Sequence, residues 1–153
     1  IRGFDVASLV EIERVAGISG TELFFMNPVK SRGAIARAYG EFGIRSFAFD
    51  SEEELDRIVA ETGGAKDVTL YLRVACPNTH SLIPLEGKFG ASGEEAPALL
   101  LRARQIAARL GLTFHVGSQA VVPAAFGEAI RQIGHFLLAS SPKRANSFSA
   151  ISG

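Results

Sequence analysis

The most informative stretch of the chain is FHVGSQ, residues 114–119, an apolar run that ends in an imidazole, a glycine and a hydroxyl. Leu112 to Val116 is rich in large or β-branched side chains between two glycines, which predicts a strand with both faces covered. In parallel sheets and barrels, the carboxyl ends of the strands line the ligand site. His115 and Ser118 are therefore the first candidate site residues, although His115 could also be a core histidine that bonds a backbone carbonyl.

Outward from this strand, strands and helices alternate along the chain. The predicted strands are Gly3–Ala7, Glu22–Met26, Arg45–Phe49, Val68–Val74 and Leu112–Val116. A helix is predicted after each strand, and three helices have a capping box: Ser8 with Glu11, Ser51 with Glu54, and Ser92 with Glu95. Such βα units predict a parallel sheet with right-handed crossovers, either doubly wound or part of a (β/α)8 barrel. No Gly-x-Gly-x-x-Gly follows the first strand, which weakens the dinucleotide-binding version.

The second half of the chain has less regular boundaries. The fourth predicted helix runs from Ser92 to Gly111, and its periodic apolar residues are Leu99, Ala103, Ile106 and Leu110. The last helix starts at Pro123, and its predicted inward residues are Phe126, Ile130, Ile133 and Leu137. Residues 75–91 are predicted to be an irregular loop, and a loop of that length is usually functional or disordered. We divide the chain into a domain, residues 1–139, and a polar tail, residues 140–153, which we expect to be disordered.

Composition excludes several classes of protein. The 153 residues carry 16 basic and 16 acidic side chains, so no broad charge indicates binding to nucleic acid or to an anionic membrane surface. No apolar run is long enough to span a bilayer. The single cysteine, Cys76, excludes an internal disulfide framework and suits a reducing compartment, so we expect a cytoplasmic protein. The chain begins without methionine inside a strand-like pattern, and we therefore expect a piece of a longer protein.

Four sequence blocks, taken in order, resemble one protein family. They are GFDVAS at residues 3–8 with Glu11, MNPVK at residues 26–30, GKFG at residues 87–90 and FHVGSQ at residues 114–119. Over about residues 2 to 135, the chain resembles the barrel domain of the pyridoxal-phosphate-dependent ornithine decarboxylases and their diaminopimelate, lysine and arginine decarboxylase relatives. Each block is a weak signal alone, and the four in this order indicate homology.

The resemblance implies a fold, a cofactor and a site. The fold is an alanine-racemase-like (β/α)8 barrel, of which this chain would supply about strands two to six, and the family works as a homodimer. The cofactor is pyridoxal 5′-phosphate (PLP); His115 matches the histidine that stacks on its pyridine ring, and Ser118 matches a serine near its phosphate. Asp5, Glu11 and Arg73 match further residues of the cofactor site. From the residues alone, these three could also be a strand-end carboxylate, a capping-box partner and a surface arginine.

The lysine that carries the cofactor in this family has no counterpart in these 153 residues. In the family it lies in a tyrosine-alanine-valine-lysine run before the strand of Gly3, whereas Lys88 belongs to the loop after the fifth strand and Lys30 matches an ordinary lysine. The glycine triplet for the phosphate, the acidic partner of the pyridine nitrogen and the second domain are also absent from the sequence. We expect a fragment, or a coding sequence truncated or shifted in frame near Ala139, and we expect residues 1–153 alone to be inactive.

The function implied for the parent protein is decarboxylation of a basic amino-acid substrate, first of all ornithine to putrescine in polyamine synthesis. Phe114 and the NPVK block look more like the ornithine group than like the other members. A lysine or diaminopimelate decarboxylase remains open, as does a non-catalytic homologue that acts by pairing with a full-length partner. An unrelated phosphate-binding barrel would require all four blocks to match by chance.

Overall fold

The fold is an α/β arrangement around one parallel sheet. The computed structural model describes residues 2–76, 81–83, 89–116, 118–120 and 123–140. The strands are β1 (Gly3–Val6), β2 (Glu22–Phe25), β3 (Ser46–Phe49), β4 (Thr69–Val74), β5 (Ser81–Ile83), β6 (Arg109–Phe114) and β7 (Ser118–Ala120). The helices are α1 (Leu9–Val15), α2 (Arg32–Gly40), α3 (Glu52–Glu61), α4 (Ala96–Ile106) and α5 (Ala124–Ser140).

Five strands pair in the order β1-β2-β3-β4-β6, and every pairing between neighbours is parallel. The predicted parallel α/β fold with five consecutive βα units is therefore confirmed. A second, antiparallel pair joins β5 to β7, with Ile83 opposite Ser118. This pair was not predicted, because β5 lies inside the stretch 75–91 that the sequence marked as an irregular loop.

In each predicted capping box, the serine hydroxyl accepts a hydrogen bond from the amide of the glutamate three residues later. The Ser8 hydroxyl accepts a hydrogen bond from the Glu11 amide at 3.3 Å, and Ser51 accepts one from the Glu54 amide at 3.2 Å. At the third box, Ser92 Oγ accepts from the Glu95 amide at 3.3 Å, and α4 begins at the next residue. These local bonds satisfy amides that the first helical turn leaves without partners, which is why the helix starts were predictable.

The predicted boundary between the fourth helix and the last strand is wrong. The sequence placed Leu110 in the helix and Gly111 at its end, but α4 ends at Ile106 and both residues lie in β6. The Ala108 amide donates to the Val68 carbonyl at 2.9 Å, and all six residues of β4 then pair with β6. The polar groups along β4 need these partners, so sheet pairing outweighs continuation of the helix.

The inward face predicted for the last helix is wrong for Phe126 and Ile130 and is confirmed for Ile133. Phe126 and Ile130 are 47% and 60% exposed, whereas Ala125 and Ala129 are 5% and 2% exposed. Small residues four positions apart let the helix approach its neighbours closely, and Ile133 on the same face packs against the core. The side chain of Leu137 lies outside the described residues. The predicted tail begins at Ser140, which is the last residue of α5, and residues 141–153 also lie outside them.

The two faces of the parallel sheet differ in composition. Side chains on the face toward the helices are large, apolar and almost wholly buried: Val6, Phe25, Phe47, Phe49, Leu70, Leu72 and Val74. The opposite face carries small or polar residues together with Phe24 and Tyr71, whose rings meet edge to face at 6.3 Å. Gly111 lies beside Tyr71 on this face, and a Cβ there would come within 2.7 Å of the Tyr71 ring. The ring of Tyr71 thus explains a glycine inside a strand.

Over the residues that the structure describes, no helix is both long enough and apolar enough to cross a bilayer.

Candidate active site

A cleft of about 370 Å³ opens at the carboxyl edge of the sheet. Its lining comes from the ends of β1, β2 and β4 and from the segment before α4: Asp5, Val6, Ala7, Glu11, Met26, Asn27, Arg73 and Phe89. Three of the predicted site residues, Asp5, Glu11 and Arg73, therefore share one cleft. Strands β1 and β4 are separated by two other strands, or about 14 Å in a flat sheet, so their shared cleft indicates a curved sheet.

Asp5 is exposed at the mouth of this cleft. It lies one residue before the end of β1 and pairs in register with Phe24 of β2. Its parity puts it on the sheet face opposite the helices, the face that lines the interior of a closed barrel. The carboxylate is thus available to a ligand at the carboxyl ends of the strands.

Glu11 has a structural role that is visible in its contacts. One carboxylate oxygen accepts from the Ala7 amide at 2.8 Å, and the other accepts from the Ser8 hydroxyl at 3.2 Å. These bonds hold the start of α1, with the Ala7 amide as donor where a standard capping box uses the amide of the N-cap residue, here Ser8. The cap alone accounts for Glu11, and its role toward a cofactor stays a prediction.

Arg73 is half-buried at the end of β4, and its guanidinium lies 5.3 Å from the centre of the Phe89 ring. Burial lowers the pKa of Arg73 from its ordinary value, and the nearby Asp50 carboxylate opposes this shift. A guanidinium stays protonated in proteins, so Arg73 brings a fixed positive charge to the cleft.

Burial raises the pKa of the Cys76 thiol, an effect that Arg73 partly offsets, so this cysteine is mainly protonated at neutral pH.

The end of β4 is covered by the residues Phe89, Gly90 and Ala91. The Ala75 amide donates to the Ala91 carbonyl and the Ala91 amide donates to the Arg73 carbonyl, both at 2.9 Å. Gly90 has a φ of +106°, and a Cβ there would lie 2.5 Å from the Ala75 nitrogen. Only glycine fits this conformation and this close approach, which gives the glycine of the GKFG block a physical reason. Lys88 of the same block lies outside the described residues.

Sequence reasoning missed Asp50, which follows β3 directly. Its carboxylate accepts a hydrogen bond from the Gly90 amide at 3.0 Å, across 40 positions of the chain. The available signal was its place: an acidic residue immediately after a buried strand, at the edge where the carboxyl ends meet.

His115 lies at the same edge but beyond the cleft. Thr113 pairs with Arg73, and His115 is exposed two residues later, after the end of β6. The described residues that line the cleft do not include it. Ser118 begins β7, and its side chain lies outside the described residues. The structure thus brings Asp5, Glu11 and Arg73 together, and places His115 beside the strand that carries Arg73.

Lys30 is a buried lysine with a full set of partners. Its ammonium donates to the carbonyls of Ala48 at 2.5 Å, Asn27 at 2.9 Å and Pro28 at 3.2 Å. It also meets the Glu54 carboxylate at 2.8 Å, as an ion pair rather than a well-aligned hydrogen bond. Burial lowers the pKa of Lys30, and Glu54 acts against this. These contacts tie the turn after β2 to the end of β3, as expected of a structural lysine.

Comparison with known proteins identifies the family. Residues 2–143 match the model of the pyridoxal-dependent decarboxylases, pyridoxal binding domain. The ornithine decarboxylase of Panagrellus redivivus is 40% identical over 131 residues, and the lysine/ornithine decarboxylase of Selenomonas ruminantium is 37% identical over 130 residues. These matches cover 84% and 83% of this chain, but 29% and 32% of the relatives. The chain therefore spans about a third of the length of the curated relatives it matches.

A solved structure agrees with this result. The arginine decarboxylase of Paramecium bursaria Chlorella virus superposes with a TM-score of 0.80 at 31% identity, over 90% of this chain and 38% of that enzyme. A likeness over 90% of the chain supports the interpretation of the five-stranded parallel sheet as an arc of the family's barrel. The chain belongs to the pyridoxal-dependent decarboxylase family and corresponds to part of its pyridoxal-binding domain.

Proposed function

We propose that the protein is a PLP-dependent decarboxylase of a basic amino acid, with ornithine as the first candidate substrate. The observation that carries the proposal is the cleft at the carboxyl edge of the sheet, which unites Asp5 and Arg73 from separate strands. Family membership supports the cofactor, and the relatives named above support the substrate class. Because the chain spans about a third of those relatives, the proposal concerns the full-length protein.

The residues at this edge fit PLP as a ligand. The cofactor combines a flat aromatic ring with an anionic phosphate, so it needs a surface for the ring and positive or N–H donor groups for the phosphate. Exposed His115 can lie against the ring, and Ser118 lies after it in the sequence at the start of β7. Arg73 supplies a cation beside the open cleft, and Asp5 supplies a carboxylate. When bound, the cofactor accepts the electron pair left by the departing carboxylate.

The chain's own residues prepare the site for this chemistry. Phe89 covers one side of the Arg73 guanidinium and shields it from water, which strengthens its attraction for an anionic group. Asp5 accepts hydrogen bonds from N–H groups of a ligand, because its carboxylate is exposed at the end of β1. Glu11 and Lys30 hold the two loops that frame the cleft, one after β1 and the other after β2.

Substrate choice within the family is the finer part of the proposal. The named relatives act on ornithine, on lysine and ornithine, or on arginine, and a second structure of the arginine decarboxylase is bound to agmatine. All of these amino acids carry a second positive charge. We place ornithine first because the sequence around Phe114 and the NPVK block resembles that group, and lysine or diaminopimelate second. We further propose that the full-length protein is a homodimer, as the family resemblance implies. We also propose that it is cytoplasmic, because a chain with a single cysteine suits a reducing compartment.

The test is release of carbon dioxide by the full-length protein supplied with PLP. Ornithine, lysine, arginine and diaminopimelate are offered separately, and we expect the highest kcat/KM with ornithine. Residues 1–153 alone serve as a control and should show no turnover. No carbon dioxide from any of the four substrates, in a folded protein saturated with PLP, would refute the proposed activity. A higher kcat/KM with another of them would refute ornithine alone.

A further inference from the structure

Asp50 connects the end of β3 to the segment that covers the end of β4. It is the residue directly before Ser51, whose hydroxyl caps α3, so the helix does not depend on the Asp50 side chain for its cap. Instead the Asp50 carboxylate accepts from the Gly90 amide at 3.0 Å. The bond spans two loops that are far apart in sequence, and it is partly buried. It therefore fixes one loop relative to the other.

The segment held by this bond has little freedom. Gly90 is in the left-handed half of backbone space at φ +106°, and its α-carbon faces the backbone of Ala75 too closely for any side chain. On its far side, Ala91 exchanges two backbone hydrogen bonds with the end of β4. On its near side, the ring of Phe89 lies 5.3 Å from the Arg73 guanidinium. Moving Gly90 would therefore move Phe89 away from Arg73.

The negative charge of the Asp50 carboxylate acts on two cationic side chains. It attracts the guanidinium of Arg73 in the cleft and the ammonium of Lys30 beneath it. Asp50 thus interacts with the structural lysine and the cleft arginine through its charge, and with the Gly90 amide through a hydrogen bond.

We propose that Asp50 is a positioning residue for the cofactor site. It holds the Phe89-Gly90-Ala91 segment against β4, so that the Phe89 ring confines the Arg73 guanidinium to the cleft that contains Asp5. This inference rests on the proposed function, because the consequence of a misplaced Arg73 is weaker binding of PLP. The hydrogen bond to Gly90 is the essential contact, and the charge of Asp50 is secondary.

The experiment compares Asp50→Ala with Asp50→Asn in the full-length protein. Asparagine keeps an oxygen that can accept from Gly90, and alanine does not. We expect Asp50→Ala to raise the dissociation constant of PLP roughly tenfold and Asp50→Asn to stay within about twofold of wild type. Glu53→Ala and Glu53→Gln are matched controls, since Glu53 is an exposed acidic residue in the first turn of α3 and its substitution should leave PLP binding unchanged.

Hydrogen exchange of the peptide that contains Gly90 gives a second measurement, which needs no cofactor. Asp50→Ala should accelerate exchange there, with the melting temperature and the exchange of β1 peptides unchanged, and Asp50→Asn should restore protection. Phe89→Leu and Phe89→Tyr test the next step without touching Asp50. Leucine removes the aromatic face from Arg73 and should weaken PLP binding, whereas tyrosine should keep it.

The outcomes separate this inference from the proposed function. If wild type does not bind PLP, the proposed function fails, while the exchange data still decide whether Asp50 holds the segment. Wild-type exchange and PLP affinity in Asp50→Ala would overturn the inference. Equal impairment in Asp50→Asn and Asp50→Ala would also overturn it, because the charge and not the hydrogen bond would then be responsible.

Discussion

Two groups of charged side chains lie at the same edge of the sheet and are built in opposite ways. The buried cluster consists of Lys30, Glu54 and Arg57, whose side chains are 0%, 3% and 31% exposed. The cleft cluster consists of Asp5, Glu11 and Arg73, which open onto a cleft of about 370 Å³. Every charge of the buried cluster faces a charged partner within the fold, whereas Asp5 and Arg73 line an open cleft.

The difference indicates separate roles for the two clusters, one in stability and one in ligand binding. A buried charge costs several kcal/mol of desolvation and persists only where partners surround it, so the buried cluster serves the fold. Charges that stay accessible can exchange water for a ligand at little cost to the fold, so we propose that the cleft cluster serves binding. Glu11 is the exception within the cleft cluster, because its oxygens are already occupied by the capping box.

The largest expected effect comes from breaking the buried cluster. Lys30→Met leaves the Glu54 carboxylate buried beside Arg57 alone, and we expect a loss of about 3–5 kcal/mol in the free energy of unfolding, measured by urea denaturation of the full-length protein. The double variant Lys30→Met/Glu54→Gln should recover part of this loss.

Arg32→Met is the matched control for the buried pair. It breaks an ion pair of the same length, 2.8 Å to Glu61, but Arg32 is 67% exposed, and the expected loss is below about 1 kcal/mol. Equal losses from Lys30→Met and Arg32→Met would contradict the distinction between buried and open charges.

The next effect concerns Gly90, which follows the cleft residue Phe89. Gly90→Ala forces a side chain into the left-handed region and against the Ala75 backbone, and we expect a loss of about 1–3 kcal/mol in unfolding free energy. Gly33→Ala in α2 meets nothing within 4 Å, and should instead stabilise the protein by about 0.5–1 kcal/mol. Similar effects of the two substitutions would show that the conformation of Gly90 carries no strain.

A smaller effect separates the two acidic members of the cleft cluster. Glu11→Ala removes half of a capping box, and should cost about 1 kcal/mol of unfolding free energy, while Glu11→Gln should cost less than half of that. Asp5→Asn should leave stability within about 0.5 kcal/mol, because the side chain is exposed. A loss of stability in Asp5→Asn as large as that in Glu11→Ala would mean that Asp5 is part of the fold rather than of the site.

The last expected effect is a dependence of stability on pH. The folded protein lowers the pKa of Lys30 below the unfolded value of about 10.5, so the folded state releases this proton first. The unfolded state then binds more protons, and stability rises with pH between the lowered pKa and the unfolded one. Relative to Lys30→Met, wild type should gain stability as the pH rises toward about 10.5, by less than about 1.4 kcal/mol per pH unit. A falling difference would mean that Glu54 and Asp50 outweigh burial.

The order of the elements and the parallel sheet could be predicted from the sequence, because their signals are local. Ser8 with Glu11 and Ser51 with Glu54 are bonded within one helical turn, and the sequence pattern of the capping box identifies both partners. The end of α4 and the inward face of α5 could not be predicted in this way. The first depends on pairing with β4, and the second depends on how closely Ala125 and Ala129 approach the core.

The candidate site was predictable in part for the same reason. Asp5 and Arg73 were predicted from the resemblance to the family, and both lie near the carboxyl ends of their strands. Asp50 did not stand out, because its partner Gly90 lies 40 residues away and the bond exists only in the folded chain. Lys30 could be recognised as ordinary from its block, but its four partners become visible only in the structure.

The most direct test of these separate roles is PLP binding by Arg73→Met compared with Arg57→Met in the full-length protein. Each substitution removes one guanidinium, the first from the cleft and the second from the buried cluster. We expect Arg73→Met to weaken PLP binding by at least roughly tenfold with unfolding free energy nearly unchanged. We expect Arg57→Met to lower stability with PLP affinity nearly unchanged. Wild-type PLP affinity in Arg73→Met would contradict the account.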